Sequence, residues 1–203
     1  MNILQNFAVL EGLDGSGTTT QLSILDISLP PLYKTFEPTD GIIGKLIRSA
    51  LKKETIFEPE TMAMLFAADR HEHLYAENGI VDRCKRGELV ISDRYMLSSL
   101  VYQGISCGEE LPKRLNIAFP NPELLIFLDI DPTQAQDRIK GRSQKEIYEN
   151  LDFQVLVYKR YKKLLPQFCE RGVRVEIINA GLPVSEVAAL VWAAVQKMPI
   201  FKG

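Results

Sequence analysis

The sequence predicts an α/β fold in which a parallel sheet of about five strands is doubly wound, with helices on both faces. Three observations predict it. Short runs such as Phe7-Ala8-Val9-Leu10 and Leu89-Val90-Ile91 are apolar throughout rather than alternating, as strands covered on both faces must be. They alternate along the chain with longer stretches of three- and four-residue apolar spacing, which is helical periodicity. Turn or capping residues bound each run, so strand and helix follow one another with short connections.

The elements come in this order. Residues 7–10 form the first strand, and a short helix at 19–27 ends before Pro30-Pro31. A weaker strand candidate lies at 33–36. Helix 42–53 places Ile43, Leu46, Ile47 and Leu51 on one face. A long helix is expected over 60–84, then strands at 89–92 and 124–128. Asp129 and Asp131 are read as caps of a helix beginning near Pro132. Helix 151–170, strand 173–178 and helix 184–197 complete the chain. No repeat or Gly/Ser linker interrupts it, so one domain spanning residues 1–203 is expected.

Hydrophobic residues make up 46% and charged residues 25%, a balance that opposes disorder. The formal net charge of −2 gives no support to a nucleic-acid partner. No apolar run approaches the ~18–20 residues of a membrane span, and no signal-like start is visible, so no membrane partner and a cytoplasmic location are expected. Three widely spaced cysteines oppose a disulfide framework. His71 and His73 are two apart and do not share a helix face, so both are read as solvated helix residues rather than metal ligands.

In such sheets ligands bind beyond the carboxyl ends of the strands. The first of these positions reads Gly12-Leu13-Asp14-Gly15-Ser16-Gly17-Thr18-Thr19-Thr20. Gly12, Gly17 and Thr19 match the phosphate-loop pattern G-x-x-x-x-G-K-[ST], but Thr18 stands where lysine belongs. The glycines let backbone N–H groups turn inward around a phosphate, and Thr19 would hold Mg²⁺ through its hydroxyl. An ordinary glycine-rich turn between strand and helix is the alternative for this segment taken by itself.

Later segments narrow the choice. Glu-Gly-Leu-Asp-Gly-Ser-Gly around Asp14, Leu65-Phe66-Ala67-Ala68-Asp69-Arg70, and Ser92-Asp93-Arg94-Tyr95 running to Tyr102-Gln103-Gly104 occur in that order. Ile147-Tyr148-Glu149-Asn150 and Asn179-Ala180-Gly181 follow. Together they resemble the thymidylate kinases, P-loop nucleoside monophosphate kinases, over almost the whole chain. The resemblance implies a P-loop NTPase-type sheet with a mobile lid, here roughly 138–150. It implies transfer of the γ-phosphoryl group of ATP to dTMP, giving dTDP and ADP for dTTP synthesis, with Mg²⁺ as cofactor and a homodimer as assembly.

It also implies roles for individual residues. Gly12 to Thr20 would bind ATP, Asp14 would accept from the sugar 3′-OH, and Arg94 would bind the acceptor phosphate. Arg70 would bond a thymine carbonyl while Phe66 stacks on the base; the two are i and i+4 on one helical face. Tyr102 and Gln103 would wall the pocket, Tyr102 crowding the sugar 2′ carbon, and Tyr148 would pack over the nucleotide. Arg48 resembles a second phosphate-binding arginine, with a solvated helix position as its alternative. Asp93 holds a magnesium-bound water in one reading and a structural pair with arginine in the other. Lys140, Arg142 and Lys145 supply cations to the lid, and Arg142 is the first choice for the transferring phosphate, so Arg142, Arg94 and Asp14 form the expected catalytic set.

The chain departs from the family in several places. Besides Thr18, Phe36 stands where many relatives carry arginine, Asp40 lies near a phosphate pocket and would repel the ligand unless turned away, and the chain from Gln21 to Phe36 is short. These departures keep other readings open: a catalytically weakened nucleotide-binding homologue, a kinase for another pyrimidine monophosphate such as dUMP, or a nucleoside kinase.

Overall fold

The apolar runs are too short for helices and the three central ones are too apolar to face water on either side; all five pair into one sheet, with the half-exposed runs at its edges. The computed structural model describes residues 2–25, 30–140, 147–148 and 150–202. Its strands are β1 (Ile3–Gly12), β2 (Leu32–Phe36), β3 (Leu89–Asp93), β4 (Asn121–Asp129) and β5 (Arg174–Asn179). Every pairing is parallel and the order is β2-β3-β1-β4-β5. The expected doubly wound class is therefore what the chain adopts, and the weak run at 33–36 is an edge strand. All five residues of β3 are buried, as is β1 from Phe7 onward, which is why neither run alternates.

Helices cover both faces: α1 (Thr18–Ile24), α2 (Ile42–Leu51), α3 (Pro59–Tyr75), α4 (Ile80–Lys85), α5 (Met96–Ser106), α6 (Glu110–Asn116), α7 (Pro132–Ile139), α8 (Leu151–Glu170) and α9 (Val184–Val195). The long helix expected over 60–84 is two. Ala76 is extended, Asn78 takes φ 59°, and α4 restarts after Gly79. The Asn-Gly pair forms a turn there that a helical ladder cannot cross. The buried face of α2 also differs from the expected one. Gly44, Ile47, Ala50 and Leu51 point inward, while Leu46 stays 39% exposed. Sequence periodicity did not single out α5 or α6. In α5 the polar Ser99 and Gln103 are as buried as the apolar residues beside them, so no amphipathic stripe marks the helix.

Two features of the fold position a site. The carboxyl ends of the central strands lie level, with Leu10 and Phe36 both opposite Asp93, and Gly12 opposite Leu128. The chain fills one side of β1 with β2 and β3 before crossing to β4 on the other, so a crevice opens above β1 and β3. A small second core of Ile47, Ala50, Leu51 and Met62, joined by Phe66 and Tyr148, packs α2 on α3.

Candidate active site

β1 stops at Gly12 because the next residues form a tight loop that only small side chains allow. Gly15 and Gly17 take φ 87° and 98°, left-handed conformations that cost other residues strain. At Gly15 space also forbids a side chain, since a Cβ would lie 2.3 Å from the Ala135 carbonyl oxygen of α7. Leu13 turns its side chain into the core, so it has only its backbone to offer a ligand, and its carbonyl accepts from Ser16 N at 3.0 Å. Residues 14–20 line a cleft of about 640 Å³. Thr18 is buried at the start of α1 yet borders that cleft.

Across the cleft, Arg94 follows β3 with φ 71°, a conformation unusual for a side-chain-bearing residue at this position. Its Nη2 meets Asp14 Oδ1 at 2.5 Å, and its Nη1 donates to the Gly12 carbonyl at 3.0 Å and to Ser98 Oγ at 3.2 Å. The phosphate loop and the end of β3 are thus tied into one rigid unit. Gln154 of α8 completes the tie, donating to Asp14 Oδ2 at 3.0 Å and to the Tyr148 carbonyl at 2.9 Å. Tyr102, below the Arg94 guanidinium, and Tyr148 lie 5.4 Å apart, and Phe153 stacks on Tyr148 at 5.0 Å. Burial pushes the Tyr102 and Tyr148 hydroxyls above their usual range, so both are neutral donors at working pH.

Phe66 and Arg70 of α3 and Gln103 of α5 border the same cleft. Arg70 is 1% exposed and its Nη2 donates to Glu37 Oε2 at 2.6 Å and to Ser99 Oγ at 3.0 Å. Asn116 Oδ1 accepts from Nη1. A buried cation needs such partners, and Glu37 supplies the opposite charge. His73 does not match the expected solvated residue. Its side chain is 8% exposed, its Nδ1 is 3.2 Å from Glu37 Oε1 and its Nε2 is 2.6 Å from Thr35 Oγ1. His71 is exposed as expected. His73 lies one turn beyond Asp69 and Arg70 on α3, which brings it under the cleft floor.

Arg48 of α2 lines the cleft and donates to the Pro38 and Thr39 carbonyls as well as to Asp40 at 2.7 Å. The expected clash between Asp40 and a phosphate is resolved by this ion pair, which leaves the Asp40 side chain 78% exposed. Asp131 caps α7, accepting from Thr133 N at 2.8 Å, but Asp129 does not share that task; it accepts from Lys162 Nζ at 2.9 Å. Arg142 and Lys145 lie outside the described residues. Lys140 is two-thirds exposed and paired with Asp137.

Thr19 Oγ1 donates to Asp93 Oδ2 at 2.5 Å, and the buried Asp93 Oδ1 has no hydrogen-bond partner among the described residues. A free carboxylate oxygen beside a hydroxyl at the mouth of a phosphate loop is an all-oxygen donor set that suits Mg²⁺, which takes few protein ligands and completes its shell with water and phosphate. The sequence reading did not single out Arg138. Its Nη2 donates to the Ala180 carbonyl at 2.8 Å and its Nη1 approaches the Gly15 carbonyl at 3.5 Å, on the cleft wall. The available signal was its place in the last turn of the helix that Asp131 caps.

A thymidylate kinase family model matches residues 10–191. The chain is 44% identical over 168 residues to a putative thymidylate kinase of Treponema pallidum, covering 81% of each chain. It is 41% identical over 197 residues to a probable thymidylate kinase of Pyrobaculum aerophilum, covering 97% of this chain and 99% of that one. Among solved structures, a thymidylate kinase from Candida albicans superposes with a TM-score of 0.76 at 27% identity, over 95% of this chain and 91% of the other. A glycine loop, an arginine after β3 and a Phe-Arg helix face around one cleft, carried on a sequence matched this far along its length, establish that the chain belongs to the thymidylate kinase family.

Proposed function

We propose that this cleft transfers the γ-phosphoryl group of ATP to dTMP, giving dTDP and ADP, in the synthesis of dTTP. The observation that carries the reading is the meeting of the glycine loop, Arg94 and the Phe66–Arg70 face around a single cleft, in a member of the thymidylate kinase family. ATP would lie along residues 12–20, with the Arg138 and Ala180 side of the cleft beyond it. dTMP would lie between α3 and α5, its phosphate at Arg94 and Arg48, its sugar at Asp14 and Tyr102, and its base against Phe66, Arg70 and Gln103. Tyr148 would close over it. The chain is read as one domain, 1–203, with a lid at roughly 138–150.

Phosphoryl transfer needs in-line positioning, exclusion of water and positive charge, and little covalent chemistry from the protein. A dTMP phosphate oxygen bonds to the γ-phosphorus as the bond to the β,γ-bridging oxygen breaks and ADP leaves. Thr19 and Asp93 would hold Mg²⁺, which supplies positive charge to the β- and γ-phosphates when bound. The rigid tie among Asp14, Arg94 and Gln154 keeps acceptor and donor sides in register.

A coupled ADP-release assay with ATP, Mg²⁺ and a panel of nucleoside monophosphates tests the reading. dTMP should exceed dCMP, dGMP and UMP in kcat/KM, with dUMP the nearest competitor. Arg70 is a donor-only group, so it suits a base carbonyl and leaves an exocyclic amino group unpaired, a mismatch that can be worth several powers of ten. Equal kcat/KM for dTMP and dCMP would sink the acceptor assignment.

The homodimer reading has support on α3. Met64, Ala68, His71 and Tyr75 fall at helical spacing and are all exposed, and Ile117 beyond α6 is 67% exposed. A second copy covering this stripe should give twice the chain mass in light scattering, and Met64→Glu should shift it toward monomer. Among the described residues no helix is long and apolar enough to cross a membrane, and the three cysteines are free thiols, which fits a reducing cytoplasm.

A further inference from the structure

Glu11 touches neither substrate in the transfer described, although it is 0% exposed and lies at the end of β1, one residue before the phosphate loop. Four donors converge on its carboxylate. Oε1 accepts from Tyr95 N at 3.0 Å and Ser98 N at 3.2 Å, at the start of α5. Oε2 accepts from Ser98 Oγ at 2.6 Å and Tyr161 hydroxyl at 3.0 Å. The same two hydroxyl oxygens face Arg94, 3.2 Å and 3.5 Å from its Nη1.

We propose that Glu11 is the positioning residue for Arg94, acting through the hydroxyls of Ser98 and Tyr161. An ionised carboxylate only accepts hydrogen bonds. It therefore draws the hydrogens of Ser98 and Tyr161 toward itself and leaves their lone pairs facing the guanidinium. That fixes both hydroxyls as acceptors for Arg94 and holds the guanidinium plane against the Gly12 carbonyl and Asp14. With a neutral group at position 11, the carboxyl or amide hydrogens would claim a hydroxyl lone pair. The displaced hydroxyl hydrogen would then turn toward Arg94 or toward the other hydroxyl, since Ser98 Oγ and Tyr161 Oη lie 2.9 Å apart. The order that keeps both as acceptors for the arginine would be lost. The inference rests on Arg94 as the acceptor-phosphate residue.

Burial raises the Glu11 carboxyl to about 7, opposed by its hydrogen bonds to Ser98 and Tyr161 and by the charge of Arg94. The ordered arrangement needs the ionised form, so it is complete above about 7 and is lost as pH falls through that value. The groups facing Glu11 are Arg94 after β3, Ser98 and the first turn of α5, and Tyr161 of α8. Asp14 and Tyr102 flank Arg94 on its other sides.

The test is calorimetry of dTMP binding to the full chain across that pH range, with steady-state kinetics alongside. Glu11→Gln, which keeps size and can still accept from Tyr95 N and Ser98 N, should weaken dTMP binding by roughly tenfold, in line with loss of an interaction to a charged group. The loss should appear in KM for dTMP more than in kcat. It should also abolish the tightening of dTMP binding through about pH 7, leaving the titration of the phosphate itself near ~6, which all variants share. Tyr161→Phe, which leaves the carboxylate in place, should weaken dTMP binding by a smaller factor and retain the pH step. Wild-type dTMP affinity and an unchanged pH profile in Glu11→Gln would overturn the proposal. If Glu11→Gln does not fold, unaltered dTMP binding in both Tyr161→Phe and Ser98→Ala overturns it instead. Arg94→Ala separates the two readings: unchanged dTMP affinity there removes Arg94 from the site. An impaired Arg94→Ala beside a normal Glu11→Gln removes only the role of Glu11.

Discussion

Arg94→Ala is expected to weaken dTMP binding by about 10²-fold while leaving ATP affinity near wild type. A charge-assisted hydrogen bond is worth roughly 1.5–3 kcal/mol, and each ~1.4 kcal/mol is tenfold in affinity. The geometry adds to that loss. Arg94 also neutralises Asp14, whose side chain is only 19% exposed, so truncation leaves a partly buried carboxylate facing the incoming phosphate. Lysine should rescue little. A single ammonium cannot bond the Gly12 carbonyl, Ser98 and Asp14 in the fixed directions that the guanidinium serves, and still face a phosphate. The backbone strain of φ 71° is common to all three side chains and does not distinguish them. Calorimetry with dTMP and with ATP on the purified variants reads the split directly. Arg94→Ala with wild-type dTMP affinity would remove this arginine from the acceptor site.

The sheet was legible because its signal is local: buried strands must be apolar on both faces, as the runs of the three central strands are, while β2 and β5 at the edges are only partly buried. The site positions at strand ends followed from the fold class, and Asp14, Arg94, Tyr102 and Arg70 do surround one cleft. What the sequence hid was partnership. Nothing in the one-dimensional pattern marks Glu37 and His73 as the support of Arg70, because the three lie on β2's end and α3 and meet only when α3 packs beneath the cleft. The partnerships of Gln154 and Glu11 were hidden for the same reason, since their partners are 140 and 87 residues distant in the chain. The break in the long helix does carry a local signal, since Asn78-Gly79 is a turn pair. α5 was hidden because burial on nearly all sides removes the stripe that periodicity detects.

The largest effect on the chemical step is expected at Arg142. Thr18 is buried at the start of α1 and carries no charge, so the phosphate loop itself offers the γ-phosphate only N–H groups and hydroxyls. Among the described cations nearby, Arg138 is engaged by the Ala180 carbonyl, Lys140 is paired with Asp137, and Arg94 is held by Asp14 on the acceptor side. A cation that meets the transferring group must therefore be supplied by a shift of one of these or by the segment after Lys140. We propose the latter, through Arg142, which lies outside the described residues. A cation acting in this way is worth ~10³–10⁵ in kcat, so Arg142→Ala should lower kcat by about 10³-fold, with dTMP affinity almost unchanged. Thr18→Lys in the Arg142→Ala background gives a second arm. Thr18 borders the cleft, so a lysine there can extend toward the β- and γ-phosphates and should recover part of the lost kcat. Single-turnover measurement of dTDP formation checks both variants. Wild-type kcat in Arg142→Ala would move the role to Arg138, and a lysine at position 18 that recovers nothing would show that this loop cannot present a cation in line.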